Sequence, residues 1–210
     1  MTKLKGKVLI VAGAGGIGSG IAHYLAEEGA TVVVGDINGE AAARVAQEIV
    51  DRGYRAVGTA LDGTDEGSAA QIVELAVSQF GGLDGIHINF ASLDIARPNA
   101  MPTDVMGQDL ADYDAAVAVN TRGYLVCTRA VIPALLKRGG GSIVYTATNA
   151  IYMGMEDLMG YAMSKAPILP LMRHVATRYG VEGIRANAIS PGLIVHADLE
   201  AVLDADILAG

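Results

Sequence analysis

Tryptophan is absent from this chain of 210 residues, cysteine occurs once and phenylalanine only twice. A single cysteine, Cys127, excludes an internal disulfide and fits a reducing compartment, so a cytoplasmic location is expected. Aromatic residues make up 5% of the chain while hydrophobic residues make up 51%. That balance suits Val/Ile/Ala-rich parallel strands covered by Ala-rich helices. No apolar run is long enough to span a bilayer. The start, Met1-Thr2-Lys3-Leu4-Lys5-Gly6-Lys7, leads straight into a strand without a secretory cleavage site. Basic residues are in deficit, 15 Lys and Arg against 23 Asp and Glu, a formal charge of -8. This argues against a nucleic-acid or anionic-membrane partner, and the longest basic cluster is only Lys137-Arg138. His23, His87, His174 and His196 fall in separate segments without metal-site spacing, so no metal is expected.

Short β-branched runs alternate with Ala-rich helical stretches. Strands are predicted at Lys7 to Val11, Thr31 to Val34, Arg55 to Ala60, Gly85 to Asn89, Ser142 to Thr146 and Ile184 to Ile189. Helices are predicted at Gly16 to Glu28, Gly39 to Arg52, Glu66 to Phe80, a stretch running to Arg138, and Gly160 to Tyr179. A polar loop spans Ser92 to Gly107. The alternation implies right-handed crossovers and one α/β domain, a doubly wound parallel sheet, over residues 1–210. Beyond Gly192 only a helix-like segment, Asp198 to Leu208, precedes Gly210. The edge beside the sixth strand is therefore expected to pair with another chain, or the chain to lack its natural C-terminus and final strand.

The first strand runs into Gly13-Ala14-Gly15-Gly16-Ile17-Gly18, a G-x-G-x-x-G pattern between a strand and a helix. Glycines there allow a tight turn and let backbone N–H groups approach a pyrophosphate at the helix N-terminus. Asp36 closes the second strand, where a carboxylate can accept from an adenosine ribose and would repel a 2′-phosphate. Ile37-Asn38 follow and supply no compensating arginine, so NAD is favoured over NADP. Asp36 could instead merely begin a turn. Asp62, after Leu61 and the third strand, could accept from an adenine amine or serve as a helix N-terminal acid.

Tyr161 and Lys165 stand four residues apart, on one face of a helix. An ammonium about 4 Å from a phenol favours the phenolate by roughly 4 kcal/mol, about three pK units at an effective dielectric near 20. Such a pair could exchange a proton near pH 7, as alcohol oxidation or ketone reduction requires.

Taken in order, these motifs resemble the short-chain dehydrogenase/reductase family over essentially the whole chain, which implies a Rossmann-type fold. The Gly-rich loop departs from the family form in having Ala12 for threonine and one residue fewer. The family's Asn-Asn-Ala-Gly stretch appears as Ile88-Asn89-Phe90-Ala91. Asn120, in Val119-Asn120-Thr121-Arg122-Gly123, matches the catalytic asparagine. Thr148 occupies the catalytic serine position, and Tyr161 and Lys165 match the signature outright. Pro191-Gly192, with Ile194, matches the turn flanking the nicotinamide, and His196 stands where the family often has threonine. The resemblance implies that Tyr161 exchanges a proton with the substrate oxygen. Lys165 would lower its pKa and hold the nicotinamide ribose, Thr148 would position the substrate oxygen, and Asn120 would anchor a proton-relaying water. Cofactor contacts would come from Gly13, Gly15, Gly16, Ile17, Gly18, Asp36, Ile37, Leu61, Asp62, Asn89, Phe90, Ala91, Tyr161, Lys165, Pro191, Gly192 and Ile194.

Pro167 and Pro170 lie inside the predicted last helix, and each should kink it. Ile151, Tyr152, Met153, Met155, Met159 and Met163 could form a pliable apolar wall for a substrate, or pack the core or a subunit contact. Glu156 and Asp157 disfavour an anionic substrate beside them. The expected activity is NAD-dependent interconversion of a secondary alcohol and its ketone. The alternatives are an NADPH-dependent 3-oxoacyl thioester reductase and a dinucleotide-binding module with little turnover. Apolar positions along Ala115 to Leu136 and Ile168 to Tyr179 suggest a homodimer or homotetramer.

Overall fold

The computed structural model describes residues 2–92, 105–156 and 158–194. Six strands form one parallel sheet: β1 (Val8–Ala12), β2 (Thr31–Asp36), β3 (Arg55–Ala60), β4 (Gly85–Ile88), β5 (Gly141–Thr146) and β6 (Ile184–Ile189), in the order β3-β2-β1-β4-β5-β6. The strands are Val/Ile-rich because both faces are covered over the centre of the sheet, and Val32, Val33 and Val34 are all fully buried. One face packs on α1 (Gly16–Glu27) and α2 (Gly39–Asp51) through Ala22, Ala26, Ala42, Val45 and Ile49. The other packs on α3 (Glu66–Phe80), α5 (Tyr124–Lys137) and α7 (Ile168–Tyr179) through Ile72, Tyr124, Leu135 and Val175. Strand order reverses between β1 and β4, and a crevice opens there at the carboxyl ends of the strands, the place where such sheets bind ligands.

Strand and helix positions follow the sequence expectation within a residue or two. Two long helices do not. The stretch running to Arg138 is α4 (Leu110–Val117), a π-helical turn (Ala118–Gly123) and then α5. The extra residue of the wider turn falls around Asn120, a placement that marks functional positions in many helices. The helix expected over Gly160 to Tyr179 is likewise two, α6 (Met159–Lys165) and α7. At Ala166-Pro167 the helical hydrogen bonding is interrupted while both residues keep right-handed helical dihedrals, so α6 ends at Lys165 and α7 begins at Ile168. Pro170 kinks nothing, because it lies in the first turn of α7, where a backbone N–H has no partner within the helix. Asp157, His196 and the segment from Asp198 to Gly210 lie outside the described residues.

Candidate active site

The loop from β1 to α1 is shaped for an anion. Helices α2, α3 and α4 are capped by Asn38, Asp65 and Asp109, whose side chains accept from first-turn N–H groups. α1 has no capping side chain and no acid in its first turn. Its N–H groups are left for an external acceptor, and the helix dipole adds to their attraction for negative charge. Gly13 has φ +112°, and a Cβ there would lie 2.8 Å from the Phe90 nitrogen. A Cβ on Gly18 would collide with the Gly13 carbonyl, so the loop closes this tightly only with glycine at both positions. The loop thus fits a pyrophosphate despite its missing residue.

A cleft of about 580 Å³ extends from this loop across the ends of β1, β2 and β4. Of the residues expected at the cofactor, Gly13, Gly15, Asp36, Ile37, Leu61, Asp62, Asn89, Phe90 and Ala91 line it. Gly16, Ile17 and Gly18 form the first turn of α1 behind it. Pro191, Gly192 and Ile194 stand outside the lining: the Pro191 carbonyl accepts from Asn149 N–H, tying the end of β6 to a 3-10 turn (Asn149–Tyr152), while Ile194 is exposed. Gly35, Gly63, Thr64, Ser92 and Val119 line the cleft without having been expected. Gly63 and Thr64 directly follow Asp62, a signal that was available.

Both oxygens of Asp36 are engaged. Oδ2 accepts from Ala14 N–H at 2.7 Å and Oδ1 from Asn38 N–H at 2.9 Å, so the carboxylate braces the Gly-rich loop from the end of β2. Asp62 is not the N-terminal acid of α3, which is Asp65. It accepts instead from the hydroxyl and the N–H of Thr64, and these bonds hold its carboxyl below the usual range. Phe90, unusual at its position, drives its ring into a socket: a Cβ on Gly63 would collide with it, and one on Gly123 would lie 3.1 Å away. The ring meets Tyr124 edge-on with centroids 5.0 Å apart.

The four expected catalytic residues gather beside this cleft, with different partners from those expected. Asn120 is fully buried. Its Oδ1 accepts from Ser92 N–H at 2.8 Å, and its Nδ2 donates to Ser92 O at 3.0 Å and to Ser164 Oγ at 2.9 Å. The side chain joins the π turn, the loop after β4 and α6. Thr148 caps the 3-10 turn, its Oγ1 accepting from Ala150 N–H at 3.3 Å.

Lys165 overturns the electrostatic expectation. Its ammonium points inward, 1% exposed, and donates to Tyr124 Oη at 2.8 Å and to the carbonyls of Phe90 and Thr146, each at 3.2 Å. Burial pulls its pKa down to about 7. For Tyr161, burial pushes the phenol above its ordinary value, and a hydrogen bond with the Thr148 side chain draws it partly back. The sign is the reverse of that expected from spacing alone, because one helical turn fixes a shared face but not where a long side chain finds its acceptors.

A second buried polar chain supports the cleft floor. His87 Nε2 lies 2.7 Å from Thr146 Oγ1, which donates to Asn89 Oδ1 at 2.9 Å. Since the threonine proton goes to Asn89, the histidine nitrogen is the donor, a neutral imidazole protonated on Nε2. Burial holds His87 down at about 4. His87 thus faces the protein interior, and no group of three metal-binding side chains occurs among the described residues. Met153, Met155, Met159 and Met163 line a separate groove of about 360 Å³ along α6, with Ala162 and Ala166; neither Tyr161 nor Lys165 lines it. No helix among the described residues is long and apolar enough to cross a membrane.

Comparison with known proteins agrees with this geometry. Residues 11–209 match the family model described as enoyl-(acyl carrier protein) reductase. A probable short-chain type dehydrogenase/reductase of Bradyrhizobium diazoefficiens is 39% identical over 98% of this chain and 72% of its own. Cis-4-hydroxycyclohexanecarboxylate dehydrogenase of Sinomonas cyclohexanicum is 35% identical, over 97% of this chain and 79% of its own. 7alpha-hydroxysteroid dehydrogenase of Escherichia coli K12 is also 35% identical, over 98% and 78%. With the doubly wound sheet, the Gly-rich loop and the clustered Asn120, Thr148, Tyr161 and Lys165, these matches identify the chain as a member of the short-chain dehydrogenase/reductase family of oxidoreductases.

Proposed function

We propose that the protein interconverts a secondary alcohol on an apolar ring and the corresponding ketone, with NAD(H) as its cofactor. The observation that carries this reading is the joint between catalytic residues and cleft. Lys165 and Asn120 hold the backbone of Phe90 and Ser92, which wall the cleft that the Gly-rich loop closes at its other end. Asp36 at the cleft supports NAD, since a carboxylate beside a 2′-phosphate is repulsive. The two dehydrogenases named above act, by their names, on a hydroxycyclohexanecarboxylate and on a 7α-hydroxysteroid, and a ring-borne secondary alcohol is the chemistry they share.

When bound, the nicotinamide ring supplies or accepts the hydride. The protein orients the groups around it. Thr148 and Tyr161 present two hydroxyls to one oxygen of the substrate. A phenol raised by burial is protonated near neutrality and gives its proton to the forming alkoxide as a ketone is reduced; in the other direction it must first lose that proton. Alcohol oxidation therefore rises with pH, and ketone reduction does not need the rise. Apolar positions along Ala115 to Leu136 and Ile168 to Tyr179 that do not pack on the sheet, such as the exposed Leu125 and Leu136, are proposed to pair with a second copy, which light scattering tests.

The test is nicotinamide absorbance with cis-4-hydroxycyclohexanecarboxylate and a 7α-hydroxysteroid, each offered with NAD and with NADP. NADH formation from at least one alcohol, faster with NAD, is expected. Binding without turnover would favour the non-catalytic alternative, and a preference for NADP would undo the role given to Asp36.

A further inference from the structure

The ammonium of Lys165 has three N–H groups and, in this fold, three acceptors: Phe90 O, Thr146 O and the Tyr124 hydroxyl, the last at the shortest distance, 2.8 Å. We infer that Tyr124 is a positioning residue for Lys165, its phenol completing the ammonium's set of acceptors and fixing it against the carboxyl ends of β4 and β5. The inference rests on the reading of Lys165 as part of the active site. The contact itself does not.

Tyr124 is suited to the task because its ring is packed on both sides. It is fully buried, with its ring edge-on to Phe90 and stacked at 6.3 Å on Tyr145. Its hydroxyl lies 2.9 Å from Phe90 O and 3.0 Å from Thr146 O, the same two carbonyls that receive Lys165. A phenol has one proton, so it donates to one carbonyl at a time and keeps its lone pairs for the ammonium. The four groups form a closed cage in which a charged lysine leaves no donor unpaired. Phenylalanine would keep the ring, which stands 4.4 Å from Nζ and attracts it through its face, but would orphan one N–H in a dry interior. Tyr124 follows Asn120 by four residues through the π turn, so one turn of backbone carries both a clamp on α6 and the anchor of its lysine.

The titratable groups around this ammonium are few. α5 contributes Tyr124 and Cys127, α6 contributes Tyr161, and β5 contributes Tyr145, stacked on Tyr124. The carbonyls come from Thr146 of β5 and from Phe90 in the loop after β4, with His87 reached through the Thr146 hydroxyl. Burial holds the Tyr124 phenol neutral far above the range in which Lys165 titrates, so it remains an acceptor throughout.

The experiment is NMR titration of the full chain carrying 13Cε-lysine and 13Cζ-tyrosine, with Lys165→Met and Tyr161→Phe to assign signals. In Tyr124→Phe the Lys165 midpoint should fall by about one pH unit or more, as a charge-assisted bond worth tenfold or more in the protonation equilibrium is lost. An unchanged midpoint overturns the inference. Should Tyr124→Phe fail to fold, the unmodified protein decides: the Tyr124 13Cζ signal must move with the Lys165 midpoint, and a signal flat across it overturns the inference equally. A protein that titrates as expected but transfers no hydride would refute the proposed function and leave the positioning contact intact.

Discussion

Asp36 accepts the Ala14 N–H at 2.7 Å, so the residue proposed to discriminate between cofactors is also a brace for the loop proposed to receive their phosphates. The two roles separate experimentally. Asp36→Ala strands the N–H groups of Ala14, a buried residue, and of Asn38, an exposed one, and should cost about 1–2 kcal/mol in urea unfolding. It should weaken NAD at least tenfold without giving NADP an affinity equal to that of NAD in the unmodified protein, because a loosened loop serves neither. Isothermal titration with both nucleotides checks this. Wild-type stability together with tight NADP binding would show that the carboxylate only discriminates.

His87 should make the fold sensitive to mild acid. Its folded pKa, about 4, lies below the ordinary value of 6.5, so the unfolded chain binds the extra proton between those pH values. Stability is then complete above about pH 6.5 and falls as pH drops toward 4, by roughly 3 kcal/mol at most for a shift of this size. His87→Gln, which keeps a donor for Thr146 without titrating, should flatten the unfolding free energy over that interval. A slope that survives the substitution would assign acid sensitivity to other groups.

Cys127 should behave as a silent thiol. It is buried, its Sγ lies 4.0 Å from the Gly63 carbonyl, and burial raises its pKa to about 12. Thiolate is the reactive form, so a disulfide reagent at pH 8 should label the native protein only as fast as it opens, and the urea-unfolded protein at once. Rapid native labelling would contradict the packing of α5 against the loop after β3.

The strands, the Gly-rich loop and the order of the catalytic residues were legible because each is a local pattern: a β-branched run, a glycine spacing, a helical repeat. Pro167 was legible as a disturbance, and the structure divides the helix there. The π turn at Asn120 was not legible, since its residues have ordinary helical character and the contacts made there, with Ser92 and Ser164, are distant in sequence. The partners of Lys165 were out of reach for a related reason. Phe90, Tyr124 and Thr146 are 75, 41 and 19 residues away in sequence, and only the tertiary fold brings their oxygens together. Spacing placed Tyr161 and Lys165 on one face of a helix and suggested mutual electrostatics, whereas burial governs both.

The account depends most on Tyr161 as the group that gives and takes the proton. Ketone reduction by NADH, measured at pH 7 for Tyr161→Phe beside the unmodified protein, tests it directly, with circular dichroism to confirm folding and NADH fluorescence to confirm binding. A fall in turnover of roughly 10²–10⁴-fold with binding retained is expected, together with loss of the rise in alcohol oxidation toward high pH. Turnover within about twofold of the unmodified protein, in a folded variant that binds NADH, would contradict the mechanism.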